Sequence, residues 1–152
     1  MTYYFEDLAP GTTFELGSAT VTEADIIRFG KEFDPQSFHT DPEAAVDSPF
    51  HGLVASGLHT FCIFHRMMMI ELMMKVASLG GAGVDEMRWR VPVRPGDDLR
   101  ARATILADSR ISTTKPDRGV LFVRGELENQ AQELVWEAKL SAVVLLKTPV
   151  EL

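Results

Sequence analysis

The chain has 152 residues, of which 45% are hydrophobic and 24% are charged, and this composition excludes an intrinsically disordered protein. Its length predicts a single domain, spanning residues 1–152, around one hydrophobic core. The net charge of -7 argues against nucleic-acid binding, because that function needs an excess of Lys and Arg to neutralise phosphates.

The sequence also predicts a cytoplasmic location. The single cysteine, Cys62, cannot form an internal disulfide, which is typical of a reducing compartment. The first residues have neither a basic region nor an apolar run, so we expect no signal peptide. The most apolar segment, Leu58 to Val76, is interrupted by two histidines, an arginine, a glutamate and a lysine. It is therefore too polar to cross a membrane, and we predict no membrane partner.

In chain order, the first predicted element is a strand over Thr12 to Val21, which the chain enters through a turn at Pro10 and Gly11. Thr22 and Asp25 then form a helix-capping pattern. The short helix that follows should end near Phe33.

The next segment, Asp34 to Thr40, is predicted to be a loop. Pro35 disfavours helix at its own position and at the residue before it. Asp41 followed by Pro42 is a good N-cap and first-position pair, so a short helical turn should run through Ala45.

The longest predicted helix runs from about Gly57 to Val76, with Ser56 as its cap, and it is apolar on most sides. Gly80 to Gly83 is predicted to be a flexible connector, and the alternation in Met87 to Arg94 predicts a strand. Three further antiparallel strands are predicted over Leu99–Thr113, Val120–Asn129 and Leu134–Lys147.

This order of elements predicts an α+β fold in which a curved antiparallel sheet wraps around one long helix, the hotdog arrangement. One sheet covers only part of an apolar helix. A second copy of the chain should cover the rest, so we predict a homodimer or a higher homo-oligomer.

Asp34 and His39 are the first candidates for a catalytic role. They lie five residues apart in the predicted loop, where a carboxylate and an imidazole together can hold a water molecule and move its proton. The alternative is that Asp34 caps a turn and His39 packs in the loop. On these two residues alone, the alternative is the better interpretation.

Gly57 is the second candidate, because the first N–H groups of a helix have no partner inside it and the helix dipole makes that end positive. A thioester oxygen bound to the Gly57 N–H would be polarised, as in an oxyanion hole. Close packing of the helix explains a glycine here equally well.

The run Phe33 to Ala45, with the sequence FDPQSFHTDPEAA, resembles the signature segment of MaoC-like dehydratases. These enzymes are relatives of the (R)-specific enoyl-CoA hydratases. Ser48 to Thr60, Arg90 to Asp97 and Phe5 to Gly11 also match this family, so the resemblance spans nearly the whole chain.

The resemblance implies the hotdog fold and a hydratase or dehydratase activity without a cofactor. By this resemblance, Asp34 and His39 position the water that adds to the β-carbon of a trans-2-enoyl thioester. Gly57 supplies the N–H group of the oxyanion hole. Gln36 and Ser37 replace the Asn-Pro of the hydratase motif, which leaves the substrate less well defined than the reaction.

Three residues are predicted to contact the substrate: Phe50, Ser56 and His59. A core or interface position is the favoured alternative for His59. The histidines lack the spacing of metal ligands, so no metal site is predicted. Methionines between Met67 and Met74 could line an acyl tunnel, although core packing explains most of them. Arg88, Arg90 and Arg94 should share one strand face, either as a phosphate site or as solvated charges.

The predicted reaction is hydration of an enoyl-CoA, or the reverse dehydration. An acidic chain disfavours an acidic carrier protein, which is why we expect coenzyme A as the carrier. Two alternatives remain from the sequence: an acyl-CoA thioesterase, in which water attacks the carbonyl, and a non-catalytic module that binds acyl thioesters.

Overall fold

A computed structural model describes residues 1–151 of the chain. It contains four α-helices, named α1 (Glu23–Phe33), α2 (Ser37–Thr40), α3 (Pro42–Ala45) and α4 (Gly57–Glu71). Its strands are β1 (Thr13–Thr20), β2 (Ser78–Trp89), β3 (Asp98–Ile105), β4 (Arg110–Ile111), β5 (Arg118–Glu128) and β6 (Leu134–Leu145). Short 3-10 turns lie at Phe5–Asp7 and Met73–Lys75.

The strands form one antiparallel sheet in the order β1-β3-β5-β6-β2, and the short β4 pairs with β5. Helix α4 packs on β1, β3 and β5. Phe64 of α4 and Trp136 of β6 are fully buried, and their ring centroids are 4.7 Å apart. The predicted arrangement, one long helix against an antiparallel sheet, is confirmed.

Helices α1, α3 and α4 each begin at the cap that the sequence predicts. The Thr22 side chain accepts a hydrogen bond from the Asp25 N–H at the start of α1. The Asp41 carboxylate caps α3, and the Ser56 hydroxyl accepts a bond from the Leu58 N–H at the start of α4. These side chains satisfy N–H groups that a helix leaves without internal partners.

The prediction of a flexible connector at Gly80 to Gly83 is wrong, because these residues lie inside β2 and pair with β6. The register of this pair shifts three times, and glycine tolerates such irregularities. The predicted strand over Met87 to Arg94 is wrong beyond Trp89, where β2 ends. Pro92 has no N–H to donate to a ladder, and the Val93 carbonyl accepts instead from the Ala55 N–H at 2.8 Å.

Three other boundaries differ from prediction. A turn closed by the Ser109 N–H and the Leu106 carbonyl interrupts the long strand expected over Leu99–Thr113. The central helix stops at Glu71, before the 3-10 turn that follows. The expected loop Asp34–Thr40 contains one helical turn, α2. Within residues 1–151, no helix has both the length and the apolar character needed to cross a membrane.

Candidate active site

The junction between α1 and α2 brings Asp34 and His39 together. Asp34 follows the last residue of α1, and its N–H donates to the Gly30 carbonyl at 2.9 Å. Pro35 ends the helix, and the single turn of α2 then reverses the chain. As a result, the His39 Nε2 atom lies 3.4 Å from the Asp34 Oδ2 atom.

The Asp34 carboxylate is held by two side-chain donors. The Ser56 hydroxyl donates to Oδ2 at 2.7 Å, and the Gln36 amide donates to Oδ1 at 2.9 Å. Burial raises the pKa of Asp34, but the hydrogen bonds from Ser56 and Gln36, with a smaller contribution from the nearby His39, outweigh it. The pKa is therefore below its usual value, and the carboxylate is ionised at neutral pH.

The ring of His39 is fixed in one tautomer. Its Nδ1 atom lies 2.7 Å from the Val54 carbonyl oxygen, which can only accept a hydrogen bond, so Nδ1 carries a hydrogen. In the neutral ring, Nε2 then presents a lone pair on the side of Asp34. A carboxylate and an imidazole lone pair are both acceptors, so a molecule with two O–H groups can bridge them.

Ser56 connects this pair to the start of α4. The same hydroxyl that donates to Asp34 accepts the Leu58 N–H at 3.3 Å, so it caps the helix and orients the carboxylate together. Gly57 is the first residue of α4. Among the described residues its N–H has no hydrogen-bond acceptor, which is the ordinary state of a first-turn amide.

Packing against Trp89 gives a structural reason for the glycine at residue 57. A Cβ atom on Gly57 would lie 2.6 Å from the indole Nε1 and Cε2 atoms of Trp89. The packing interpretation of Gly57 is therefore supported, and it leaves the N–H group available. The contact of Trp89 with Gly57 was not predicted from the sequence, because the two residues lie 32 positions apart. An aromatic residue at the end of a strand, before a Pro-containing segment, is only a weak signal for such a contact.

A cavity of about 500 Å³ lies at this junction. Five of the residues singled out from the sequence line it: Asp34, His39, Phe50, Ser56 and Gly57. The segment from Trp89, the last residue of β2, to Val93 also lines the cavity. The cavity surface is mainly apolar, so its few polar groups would orient a largely apolar ligand.

His59 is not among the residues that line this cavity. Its ring is buried and stacks on Phe29 of α1, with ring centroids 4.8 Å apart. Burial lowers the pKa of His59, the charge of Asp25 opposes that effect, and Arg28 adds to it. Its Nδ1 atom has no partner among residues 1–151. The geometry favours the alternative interpretation, a core histidine.

The three arginines predicted to share a strand face are separated, because β2 ends between them. Arg88 donates to the Met87 carbonyl and Arg90 to Glu137. Arg94 donates to the Phe50 carbonyl at 2.6 Å, which holds the loop that carries Phe50. Only Arg90 of the three lines the cavity.

Four methionines near the end of α4 and in the 3-10 turn after it line a different space. A second, mainly apolar cavity of about 490 Å³ lies between the end of α4 and strands β2 and β6. Met68, Met69, Met73 and Met74 line it, and it shares no lining residue with the first cavity. In the described part of the chain, no cluster of three or more His, Cys, Asp or Glu side chains is arranged to hold a metal ion.

Comparison with known proteins gives consistent matches. The profile of the MaoC-like domain family matches residues 6–120. A MaoC-like dehydratase from Rhodospirillum rubrum is 38% identical, with a TM-score of 0.86 over 99% of each chain. The protein YdeM from Bacillus subtilis is 30% identical over 139 residues, which are 91% of this chain and 96% of YdeM.

A more distant structure shares the fold. The R-hydratase PhaJ1 from Pseudomonas aeruginosa is 21% identical, with a TM-score of 0.73 over 98% of this chain and 90% of that one. These structures have the hotdog fold, and the predicted α+β hotdog arrangement is thus confirmed.

Proposed function

The chain belongs to the MaoC-like dehydratase family, and on that premise we propose that it hydrates 2-enoyl-CoA thioesters or dehydrates the matching 3-hydroxyacyl-CoA. One observation carries the proposal. The ionised Asp34 and the tautomer-fixed His39 face each other at 3.4 Å in the cavity that also contains the start of α4. Coenzyme A is the proposed carrier, since a chain of net charge -7 repels an acidic carrier protein.

The two side chains orient a water molecule for addition. A water between them donates one hydrogen to the Asp34 carboxylate and one to the His39 Nε2 atom. Its oxygen lone pairs then point away from both groups and into the cavity. A β-carbon of the enoyl thioester placed there is in position for attack.

His39 is the proposed proton acceptor. The lowered pKa makes the Asp34 carboxylate a weak base, but its negative charge stabilises the imidazolium that forms 3.4 Å away. The water oxygen bonds to the β-carbon and its proton moves to Nε2. The proton on Nε2 then passes to the α-carbon, so the elements of water are added from one side.

Gly57 stabilises the charge that develops on the thioester. When oxygen bonds to the β-carbon, the electrons of the double bond move towards the thioester oxygen as an enolate. The free N–H of Gly57 lies at the positive end of α4 and can donate to that oxygen. The proposed roles of Phe50 and Ser56 are substrate contact along the cavity wall and orientation of Asp34.

A spectrophotometric screen tests the proposal. Short, medium and branched trans-2-enoyl-CoAs are supplied, and the loss of absorbance from the conjugated double bond is followed. The Asp34→Asn variant should lose about 10²- to 10⁴-fold in kcat/KM, the usual contribution of acid–base catalysis. Its circular dichroism should be unchanged, because the amide has the same shape.

Asp41→Asn is the matched control, since asparagine caps a helix as well as aspartate does and the Asp41 side chain accepts hydrogen bonds from the Glu43 and Ala44 amides of α3. It should keep wild-type turnover. Full activity in Asp34→Asn would contradict the proposal. Release of free thiol from saturated acyl-CoAs would indicate a thioesterase instead, and binding without turnover across the panel would indicate a non-catalytic module.

We further propose that a second copy of the chain covers the free edge of the sheet. Strand β2 lies at one end of the strand order, and nearly all of its residues are exposed, including Leu79 and Val84. Exposed apolar edge strands pair readily with another strand. The exposed Leu58 and Ile70 of α4 add apolar surface to be covered.

Size-exclusion chromatography with light scattering tests the assembly. The wild-type chain should have the mass of a dimer or of a multiple of it, and Leu79→Lys should shift it to the monomer. Ile111→Lys is the control, because Ile111 is exposed to a similar extent but lies on β4. A wild-type monomer at all concentrations would refute the assembly without affecting the proposed chemistry.

A further inference from the structure

Trp89 lies where the sheet meets the start of the central helix. It is the last residue of β2, and 50% of its surface is exposed, which is high for a tryptophan. Its indole N–H donates to the Gly57 carbonyl at 2.8 Å. The ring also lines the cavity that contains Asp34 and His39. Trp89 therefore connects the end of β2 with the first residue of α4 and forms part of the cavity wall.

Trp89 is one of a pair of tryptophans that contact the same helix. It is the register partner of Trp136 on the adjacent strand β6, and paired residues in neighbouring antiparallel strands project from the same face. Trp136 packs against Phe61 and Phe64 of α4, at ring-centroid distances of 5.7 and 4.7 Å. Trp89 contacts the helix at its first residue, so the sheet fixes α4 at two levels.

The peptide group between Gly57 and Leu58 is fixed at both ends. Its carbonyl accepts from the Trp89 indole, and its N–H donates to the Ser56 hydroxyl at 3.3 Å. The Gly57 N–H belongs to the preceding peptide group, which shares the Gly57 Cα atom with this one, so holding this peptide in place limits the movement of the helical turn that carries the N–H. Two hydrogen bonds from different parts of the chain thus restrict the direction of that donor.

The indole also requires glycine at residue 57, because a Cβ atom there would lie 2.6 Å from two of its ring atoms. The requirement for glycine is imposed by the protein's own side chain and would hold whether or not a ligand is bound.

We propose that Trp89 is a positioning residue, which anchors the first turn of α4 to the sheet and directs the Gly57 N–H at the thioester oxygen. This inference rests on the proposed hydratase function. A hydrogen-bond donor held in a fixed direction stabilises the transition state, in which the thioester oxygen becomes negative, more than it stabilises the bound substrate.

Steady-state kinetics of Trp89→Phe test the proposal, because this change keeps an aromatic ring and removes the N–H donor. We expect kcat to fall about 2- to 10-fold, the range for one neutral hydrogen bond, with little change in KM. Trp136→Phe is the matched control. It removes an indole that also packs on α4 but has no contact with Gly57, so it should lower the melting temperature and leave kcat unchanged.

Two outcomes of the Trp89→Phe kinetics would overturn the inference. A rise in KM with unchanged kcat would make Trp89 a substrate contact. A lower melting temperature with unchanged kcat and KM would make it a packing residue only.

Thermal unfolding of a double-mutant cycle supplies a readout that needs no substrate. Gly57→Ala should lower the melting temperature because of the collision with the indole, and Gly57→Ala combined with Trp89→Leu should recover most of the loss. No recovery would overturn the anchoring contact. An inactive wild-type enzyme would overturn the proposed function alone, while this cycle would still decide whether Trp89 anchors the helix.

Discussion

Ser56→Ala removes a hydroxyl with two roles, and the structure allows its effect to be worked out. Loss of a helix cap costs about 1 kcal/mol. Loss of a hydrogen bond to an ionised group costs about 1.5–3 kcal/mol. We use the lower value, about 1.5 kcal/mol, because the Asp34 side chain is 23% exposed and water can partly replace the lost bond. Urea unfolding at neutral pH should therefore show a decrease of about 2.5 kcal/mol in the free energy of unfolding. In hydration kinetics, kcat/KM should fall about 10-fold, because Asp34 loses its shortest hydrogen bond.

Thr22→Ala is the matched control, since Thr22 caps α1 in the same way but has no contact with Asp34. It should lose only the cap, about 1 kcal/mol, and keep wild-type kcat/KM. Ser56→Thr retains the hydroxyl and should keep kcat/KM closer to wild type than Ser56→Ala does, while its added methyl group, at a position only 1% exposed, lowers the stability. The reasoning is refuted if Ser56→Ala and Thr22→Ala lose equal stability and both remain fully active.

Two further predictions concern residues packed around the site. Burial lowers the pKa of His59, so the unfolded chain binds a proton more readily and stability should fall as the pH drops below about 6.5. His59→Gln cannot ionise and should flatten this part of the curve of unfolding free energy against pH. A slope equal to that of the wild type would count against the assignment. Gly30→Ala would place a Cβ atom 2.5 Å from the His39 carbonyl oxygen, and we expect a stability loss of about 1–3 kcal/mol together with reduced turnover. Gly81→Ala is the control, because its Cβ atom would meet nothing closer than 3.9 Å, and it should leave the free energy of unfolding nearly unchanged. An equally small loss of stability in Gly30→Ala would show that α2 can move to make room for the methyl group.

Features that depend on neighbouring residues could be predicted from the sequence. The caps at Thr22, Asp41 and Ser56 are confirmed, because a cap requires only a polar side chain and the two or three residues after it. The long helix and most of its antiparallel sheet are confirmed for a similar reason, since the apolar character of α4 and the alternation in β3, β5 and β6 are visible along the chain.

Features that depend on residues far apart in the chain could not be predicted from the sequence. The bond between Ser56 and Asp34 joins residues 22 positions apart, and the bond between Trp89 and Gly57 joins residues 32 apart. No local pattern indicates either contact. The glycines of β2 were mistaken for a connector because their composition is typical of one, whereas pairing with β6 decides their structure.

The strand order has a consequence for how the chain folds during its synthesis. Strand β1 pairs with β3, which begins only at Asp98, and β2 pairs with β6, which begins only at Leu134. A ribosome therefore releases the apolar helix α4 well before β3 and β5, which cover much of it. Until β3 and β5 emerge the helix is only partly covered, by β1 and α1. Strand β2 stays unpaired until β6 emerges, and this is the interval in which aggregation competes with folding. Slower translation of the segment before β6 would lengthen that interval and should lower the yield of folded protein.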